Sequence, residues 1–290
     1  MEKKKIIIPE DVHTSTQGEF IQNYEAITFR TGNLFLFAAD QKIEHLNQDF
    51  HGNNIPPEVN NPEHIFKIAS EGKIGALATH LGLITRYAQQ YPTINYIAKL
   101  NGKTNLVPTQ QDDPRSELLW TVEDVIRVKA QNKLPIRGVG FTVYLGSKYE
   151  ADMLMQAAQA VHRAHQFGLV AILWMYPRGK AITNEIDPDL LAGAAGVAAS
   201  LGADFVKINS PEKSENLKQA VAAAGNTKVV CAGGQLTDEK QFLQKLYEQI
   251  SVGRTAGCAT GRNIFQRPFE DAVTITKEIS SIIFDGEKPK

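Results

Sequence analysis

Eight short apolar runs recur along the chain, each followed by a turn and, in most cases, by a helical pattern. They lie at residues 34–39, 75–79, 94–100, 138–144, 169–174, 204–208, 228–232 and 257–260. The runs are continuously apolar rather than alternating, which is the pattern of parallel strands covered on both faces. Between them, Asn61-Pro62-Glu63 opens a helix, with Asn61 as cap and proline at the first helical position. Residues 122–131 form a second helix, with Ile126 and Ala130 on one face. Residues 150–166 form a third, with Leu154, Ala158 and Val161 on its buried side. Further helices run from Asp187-Pro188-Asp189 to about Ser200, from Thr237-Asp238-Glu239-Lys240 to about Ile250, and from Pro268 to Phe284.

Strands alternating with helices in an uninterrupted chain predict an α/β fold, the (β/α)8 TIM barrel. One domain is expected over residues 1–290, with a barrel core at about 34–284. A doubly wound open sheet is the alternative. Against it, no GxGxxG follows the first strand and no composition break divides the chain. Two connections are long: residues 41–60 after the first strand, and an insertion at 101–119 whose early part has the look of a hairpin. Long irregular loops inside a compact domain are more often functional than accidental.

At 290 residues the chain buries roughly three quarters of its unfolded surface, so a core needs neither metal nor disulfide. Its 31 basic and 32 acidic residues leave a net charge of −1, which gives no footprint for nucleic acid or an anionic membrane. Cys231 and Cys258 form no CxxC pair, and a reducing compartment is the simpler expectation. The start, Met1 to Pro9, has an apolar run of three residues, too short for a signal-peptide core. No segment nears the roughly 20 apolar residues of a membrane span.

Several residues could carry chemistry. Lys207 ends the apolar run Phe205-Val206-Lys207-Ile208. A lysine there either pairs with a carboxylate or is desolvated, and desolvation frees a neutral amine to attack carbonyls. Trp174 and Tyr176 share a side of the fifth strand by its period of two. They either plug the core or bring a phenol to a reacting hydroxyl. Arg178 follows them, solvated or in contact with substrate. Asp40, at the end of the first strand, is either a loop cap or a rim carboxylate. Ala232-Gly233-Gly234-Gln235 and Gly261-Arg262-Asn263 follow the last two strands, where backbone N–H groups and an arginine can hold an anion. The histidines show no metal spacing. His162 and His165 are expected on a solvated helix face. His45, His51 and His64 lie in or near the first long loop, and His80 is placed to line the rim.

Trp174-Met175-Tyr176-Pro177-Arg178-Gly179, Gly202-Ala203-Asp204-Phe205-Val206-Lys207, Cys231-Ala232-Gly233-Gly234 and Gly261-Arg262-Asn263-Ile264-Phe265-Gln266-Arg267 occur in order. On these motifs, with Gly146-Ser147 and Glu150, the chain from about Leu34 to Phe269 resembles the archaeal-type class I fructose-bisphosphate aldolases. That family also occurs in bacteria. The resemblance implies a Schiff-base role for Lys207, proton transfer by Tyr176, an active-site position for Trp174 and a rim position for Asp40. It puts Gly233, Gly234, Gly261 and Arg262 in the phosphate loops. It further implies reversible cleavage of a phosphorylated sugar, fructose 1,6-bisphosphate, without metal or other cofactor, in a cytoplasmic homo-oligomer. Many members carry Asp-His-Gly after the first strand, whereas Asp40 is followed here by Gln41 and Lys42. His45 is the candidate to replace that histidine. Relatives with the same lysine barrel include a synthase and a thiolase, so another phosphorylated sugar or ketone is the alternative substrate. A non-catalytic sugar-phosphate binder is the rival from another class.

Overall fold

The computed structural model describes residues 6–44, 47–104 and 113–289. Its main sheet is a closed barrel of eight parallel strands in chain order: β1 (Leu34–Ala38), β2 (Ala76–His80), β3 (Tyr96–Lys99), β4 (Ile136–Leu145), β5 (Val170–Pro177), β6 (Phe205–Ile208), β7 (Lys228–Ala232) and β8 (Gly257–Thr260). The ring closes where Leu34, Phe35, Leu36 and Phe37 of β1 lie in register with Gly257, Cys258, Ala259 and Thr260 of β8. All eight predicted runs are strands.

The two-residue period of each strand separates two cores. Leu34, Leu36, Ala76, Ala78, Ile97, Val170, Ile172, Trp174, Phe205, Val230 and Ala259 form the cluster that fills the barrel. Phe35, Phe37, Leu77, Tyr96, Val139, Phe141, Leu173 and Val206 face the outer helices. Space inside is made by small residues on β4. A Cβ on Gly140 would lie 2.3 Å from Trp174 Cζ3, so the glycine makes room for the indole.

Helix α1 (Gln17–Thr28) precedes the barrel, and no helix was expected there. Phe20 and Ile27 join the inner cluster, and Tyr24 stacks on Phe205 with centroids 5.4 Å apart. This helix seals the N-terminal end of the cylinder. Its signal was present, since residues 20, 24 and 27 share a helical face.

The outer helices are α2 (Glu63–Glu71), α3 (Leu81–Tyr87), α4 (Val122–Asn132), α5 (Glu150–Gln166), α6 (Pro188–Ser200), α7 (Leu217–Ala224), α8 (Glu239–Ser251) and α9 (Phe269–Ser280). Asp187 caps α6 through the N–H groups of Asp189 and Leu190, with Pro188 at the first turn, as its sequence predicts. Helix α2 starts one residue later than expected. Asn61 Oδ1 accepts from the Glu63 N–H, and Pro62 takes the cap position. The last helix ends at Ser280, and a π-helical turn covers Ser281–Asp285.

Two expectations fail on α5. Its buried stripe is Met153, Ala157, Ala160, Val161 and Ala164, rotated from the predicted Leu154 and Ala158, which are half-buried. The alanines let the helix approach the sheet closely, while Leu154 packs at the flank. His165 is fully buried rather than solvated. Its Nδ1 pairs with Asp11 Oδ1 at 2.8 Å and its Nε2 with Asp204 Oδ2 at 3.2 Å. His162 is exposed, as expected. In the insertion between β3 and β4, Asn101–Gly102 pairs antiparallel with Glu117–Leu118, so a short ladder ties its two ends.

Candidate active site

The C-terminal mouth of the barrel opens into a polar cavity of about 480 Å³. Lys207 reaches it because it follows Phe205 by two residues on β6, and so faces inward. It lies in register with Trp174 on β5 and is 5% exposed. Its Nζ sits 5.5 Å from the centroid of the Trp174 ring. Burial pushes the Lys207 pKa down; the Asp40 charge opposes this, and Arg262 adds to it. A neutral amine is thereby accessible at lower pH than for an ordinary lysine.

Tyr176, two residues beyond Trp174, also lines the cavity. Burial raises its pKa well above the usual phenol range, and Asp40 adds to the rise. At rest it is therefore a proton donor. Its ring stacks on Tyr144 of β4 at 6.4 Å. The Trp174 indole N–H is buried with no hydrogen-bond partner among the described residues. Arg178 lies 5.3 Å over the Tyr176 ring, half-exposed, and donates to Glu185 through Nε at 2.8 Å and Nη2 at 2.7 Å.

Asp40 is 5% exposed and lies 3.6 Å from Lys99 Nζ. Lys99, the last residue of β3, is completely buried and was not anticipated. It donates to Glu44 Oε1 at 3.1 Å and to the Asn101 carbonyl at 3.1 Å. Glu44 in turn accepts from the Tyr144 hydroxyl at 3.0 Å through Oε2. Burial, then the Glu44 charge, raises the pKa of Tyr144. Lys99, Glu44 and Tyr144 thus form a second charged group at the mouth. Lys99 and Tyr144 were legible in principle, since each continues an inward-facing period (Ile97 to Lys99; Gly140, Thr142, Tyr144). Glu44 was not, because its position depends on how the chain turns after β1.

The two glycine-bearing turns meet on the other side of Lys207. Gly233 sits so close to β8 that a Cβ would lie 2.0 Å from Thr260 Oγ1, and Gly234 adopts φ +71°. Asn263 Nδ2 donates to the carbonyls of Gly233 and Gln235, at 2.8 Å each, tying the two turns together. Arg262 donates to the Gly234 carbonyl at 3.1 Å and to Gln235 Oε1 at 2.6 Å, and lies 3.7 Å from Asp49. A guanidinium and flexible glycine backbone are therefore fixed together at the cavity wall, a setting for a phosphate.

Of the predicted residues, Lys207, Tyr176, Trp174, Asp40, Arg178, Gly233, Gly234, Gly261 and Arg262 all line this one cavity. His45 lies outside the described residues. His80 ends β2 and is buried rather than open to the rim. Burial, then the Lys99 charge, lowers its pKa to about 4. His64 is buried against the Phe265 carbonyl, and His51 is exposed. Among the described residues no group of three or more His, Cys, Asp or Glu side chains stands together as a metal site.

A family model described as DeoC/LacD family aldolase matches residues 34–267. A protein of Methanocaldococcus jannaschii is 49% identical over 290 residues, covering 99% of this chain and 93% of its own. Its name is fructose-bisphosphate aldolase/6-deoxy-5-ketofructose 1-phosphate synthase. A fructose-bisphosphate aldolase class 1 of Thermoproteus tenax is 31% identical, over 92% of this chain and 95% of its own. The solved structure of a fructose-bisphosphate aldolase from Slackia heliotrinireducens superposes with a TM-score of 0.96, at 48% identity, covering 99% of this chain and 92% of that one. An archaeal fructose-1,6-bisphosphate aldolase, with its catalytic lysine bound to the carbinolamine intermediate, superposes at 0.80 with 30% identity, covering 91% and 99% of the two chains.

Proposed function

Because the chain belongs to the DeoC/LacD family of aldolases, we propose that it cleaves fructose 1,6-bisphosphate reversibly to dihydroxyacetone phosphate and glyceraldehyde 3-phosphate, through a Schiff base on Lys207. The observation that supports this most is the buried Lys207 amine against Trp174, in one cavity with Tyr176, Asp40 and the glycine turns.

In this reading the Lys207 nitrogen attacks C2 and gives a carbinolamine. Tyr176, a phenol at rest, gives its proton to the departing C2 hydroxyl. Water leaves, and an iminium and a phenolate remain. The phenolate takes the C4 hydroxyl proton as the C3–C4 bond breaks, and the bond's electrons flow into the iminium. Glyceraldehyde 3-phosphate departs. Tyr176 returns the proton to C3 of the enamine, and water then hydrolyses the regenerated iminium. The electron sink is the iminium itself, so the steps require neither a metal nor another cofactor.

Asp40 orients the amine and its charged intermediates, and the Trp174 N–H donates to a substrate oxygen. Gly233, Gly234, Gly261 and Arg262 hold the C1 phosphate, so that remote binding energy places the carbonyl against the amine. Arg178 and His45 are further substrate contacts. Borohydride reduction with dihydroxyacetone phosphate should trap one adduct, on Lys207, by peptide mass spectrometry. An adduct elsewhere, or none, removes the reading.

A second reading rests on the M. jannaschii relative's double name. The sugar 6-deoxy-5-ketofructose 1-phosphate shares C1 to C4 with fructose 1-phosphate and differs at C5 and C6. The same lysine, phenol and phosphate loops would serve it. A panel of aldehydes condensed with dihydroxyacetone phosphate separates the two.

The proposal also makes the chain one catalytic domain of a cytoplasmic homo-oligomer acting in glycolysis and gluconeogenesis. Among the described residues no helix is long and apolar enough to cross a membrane. Sedimentation showing only monomer at micromolar concentration would contradict the oligomer.

A further inference from the structure

Lys99 is completely buried at the end of β3, yet the chemistry proposed above gives it no part. A lysine withdrawn from water is costly unless acceptors surround its nitrogen. Here Glu44 Oε1 and the Asn101 carbonyl lie at 3.1 Å each, and Asp40 Oδ2 at 3.6 Å. Asn101 is itself pinned to β4. Its Nδ2 donates to the Thr142 carbonyl and its Oδ1 accepts from the Thr142 N–H, at 2.8 Å each. The three N–H groups of an ammonium thus face three acceptors.

A second amine stands close by. Lys99 Nζ and Lys207 Nζ each lie 5.5 Å from the centroid of the Trp174 ring. Lys99 is in register with Gly140, whose missing side chain makes room for both the indole and the lysine stem. A Cβ there would lie 2.3 Å from Trp174 Cζ3 and 3.4 Å from Lys99 Cδ. Asp40 is ion-paired with Lys99, and it is also the strongest charge acting to protonate Lys207. The other titratable or charged groups around Lys207 are Glu44 after β1, Tyr144 on β4, Tyr176 on β5 with Arg178 after it, and Cys258 on β8 with Arg262 after it; Arg262 is paired with Asp49. Of these, Glu44 is also held by Lys99.

We propose that Lys99 is a positioning residue for the reaction: its ammonium holds the Asp40 carboxylate, so that Asp40 does not capture Lys207 as a salt-bridged ammonium and Lys207 stays the neutral amine that attacks the ketone. This rests on the Schiff-base reading above. Two amines share one carboxylate, and the amine that also has Glu44 and the Asn101 carbonyl takes the charge. Without Lys99, the charges of Asp40 and Glu44 face Lys207 without that cation to offset them, and a nearby carboxylate favours the charged form of an amine.

The test traps the dihydroxyacetone phosphate adduct on Lys207 with cyanoborohydride between about pH 6 and about pH 10, its rate read by peptide mass spectrometry. The acid limb of that profile reports loss of the neutral amine. In Lys99→Met the limb should move up by about one pH unit, so that on its acid side trapping is about 10-fold slower and recovers in alkali. Lys99→Gln keeps a hydrogen-bond donor without the charge. It should move the limb the same way, and it serves if Lys99→Met does not fold. Lys99→Arg keeps the cation and should leave the limb within about 0.3 units. Trapping that falls equally at every pH in the neutral variants, with the limb in place, makes Lys99 a structural residue and overturns the proposal. So does a wild-type limb at the roughly 10.4 of an ordinary lysine, a result that needs no variant. Absence of the wild-type adduct at every pH instead defeats the Schiff-base reading itself.

Discussion

In the proposed mechanism, burial divides the chemistry between Lys207 and Tyr176. The same loss of water lowers the pKa of the amine and raises that of the phenol, so near neutral pH both drift toward their uncharged forms. The proposed mechanism asks for an uncharged amine as nucleophile and an uncharged phenol as the acid of carbinolamine dehydration. Tyr176→Phe should cut cleavage by about 100-fold to 10,000-fold, the usual size of a positioned acid–base group. A fall of less than about tenfold in kcat would take proton transfer away from Tyr176. These two residues and Trp174 were legible in the sequence because strand period alone decides which side faces in. Asp40 was legible because it ends a strand at the mouth. Glu44 was not, for its contacts come from β3 and β4 while its own segment follows β1. Nor was the burial of His165, whose partner Asp11 lies 154 residues away along the chain.

At the scale of elements, the strands were readable because double-sided burial demands an unbroken apolar run, and few other structures do. Helix faces were less readable. The stripe on α5 is set by which alanines let the helix settle on β4 and β5, and hydrophobicity alone does not choose between Leu154 and Met153. The glycines of β4 are the counterpart inside the barrel. Gly140→Ala would drive a methyl group against the Trp174 indole, and overpacking of this kind costs about 1–3 kcal/mol. Because the Lys207 amine rests against that same ring, kcat should fall together with stability in denaturant. A variant with lowered stability and intact kcat would show that the indole position does not govern the amine. In the turn after β7, Gly233→Ala meets Thr260 in the same way. It should raise KM for the phosphorylated sugar more than it lowers kcat, as steady-state kinetics can resolve.

For the whole molecule, the N-terminal segment is joined to the barrel by His165, between Asp11 before α1 and Asp204 at the foot of β6. Burial alone would lower the pKa of this imidazole; the Asp204 hydrogen bond and charge, then Asp11, outweigh it, and the pKa lies above 6.5. A raised folded-state value means that protonation favours the folded form. The stability from this group is complete below the unfolded value of about 6.5 and is lost as pH rises through the higher folded value. The gap in melting temperature between the wild type and His165→Gln should therefore be widest below about pH 6.5 and shrink as pH rises above it. A gap that does not change as pH rises would show that His165 acts only through its shape.

The helix that stoppers the foot of the cylinder also sets the traffic at its head. With Phe20 and Ile27 packed into the lower lumen, the described residues close the foot of the barrel. Both trioses then leave by the route the hexose entered, and in the proposed mechanism one of them is still tethered to Lys207 when the bond breaks. Release is then sequential, the aldehyde first. Dihydroxyacetone phosphate, returning to the vacant amine, should inhibit competitively with the sugar, while glyceraldehyde 3-phosphate should show a noncompetitive pattern.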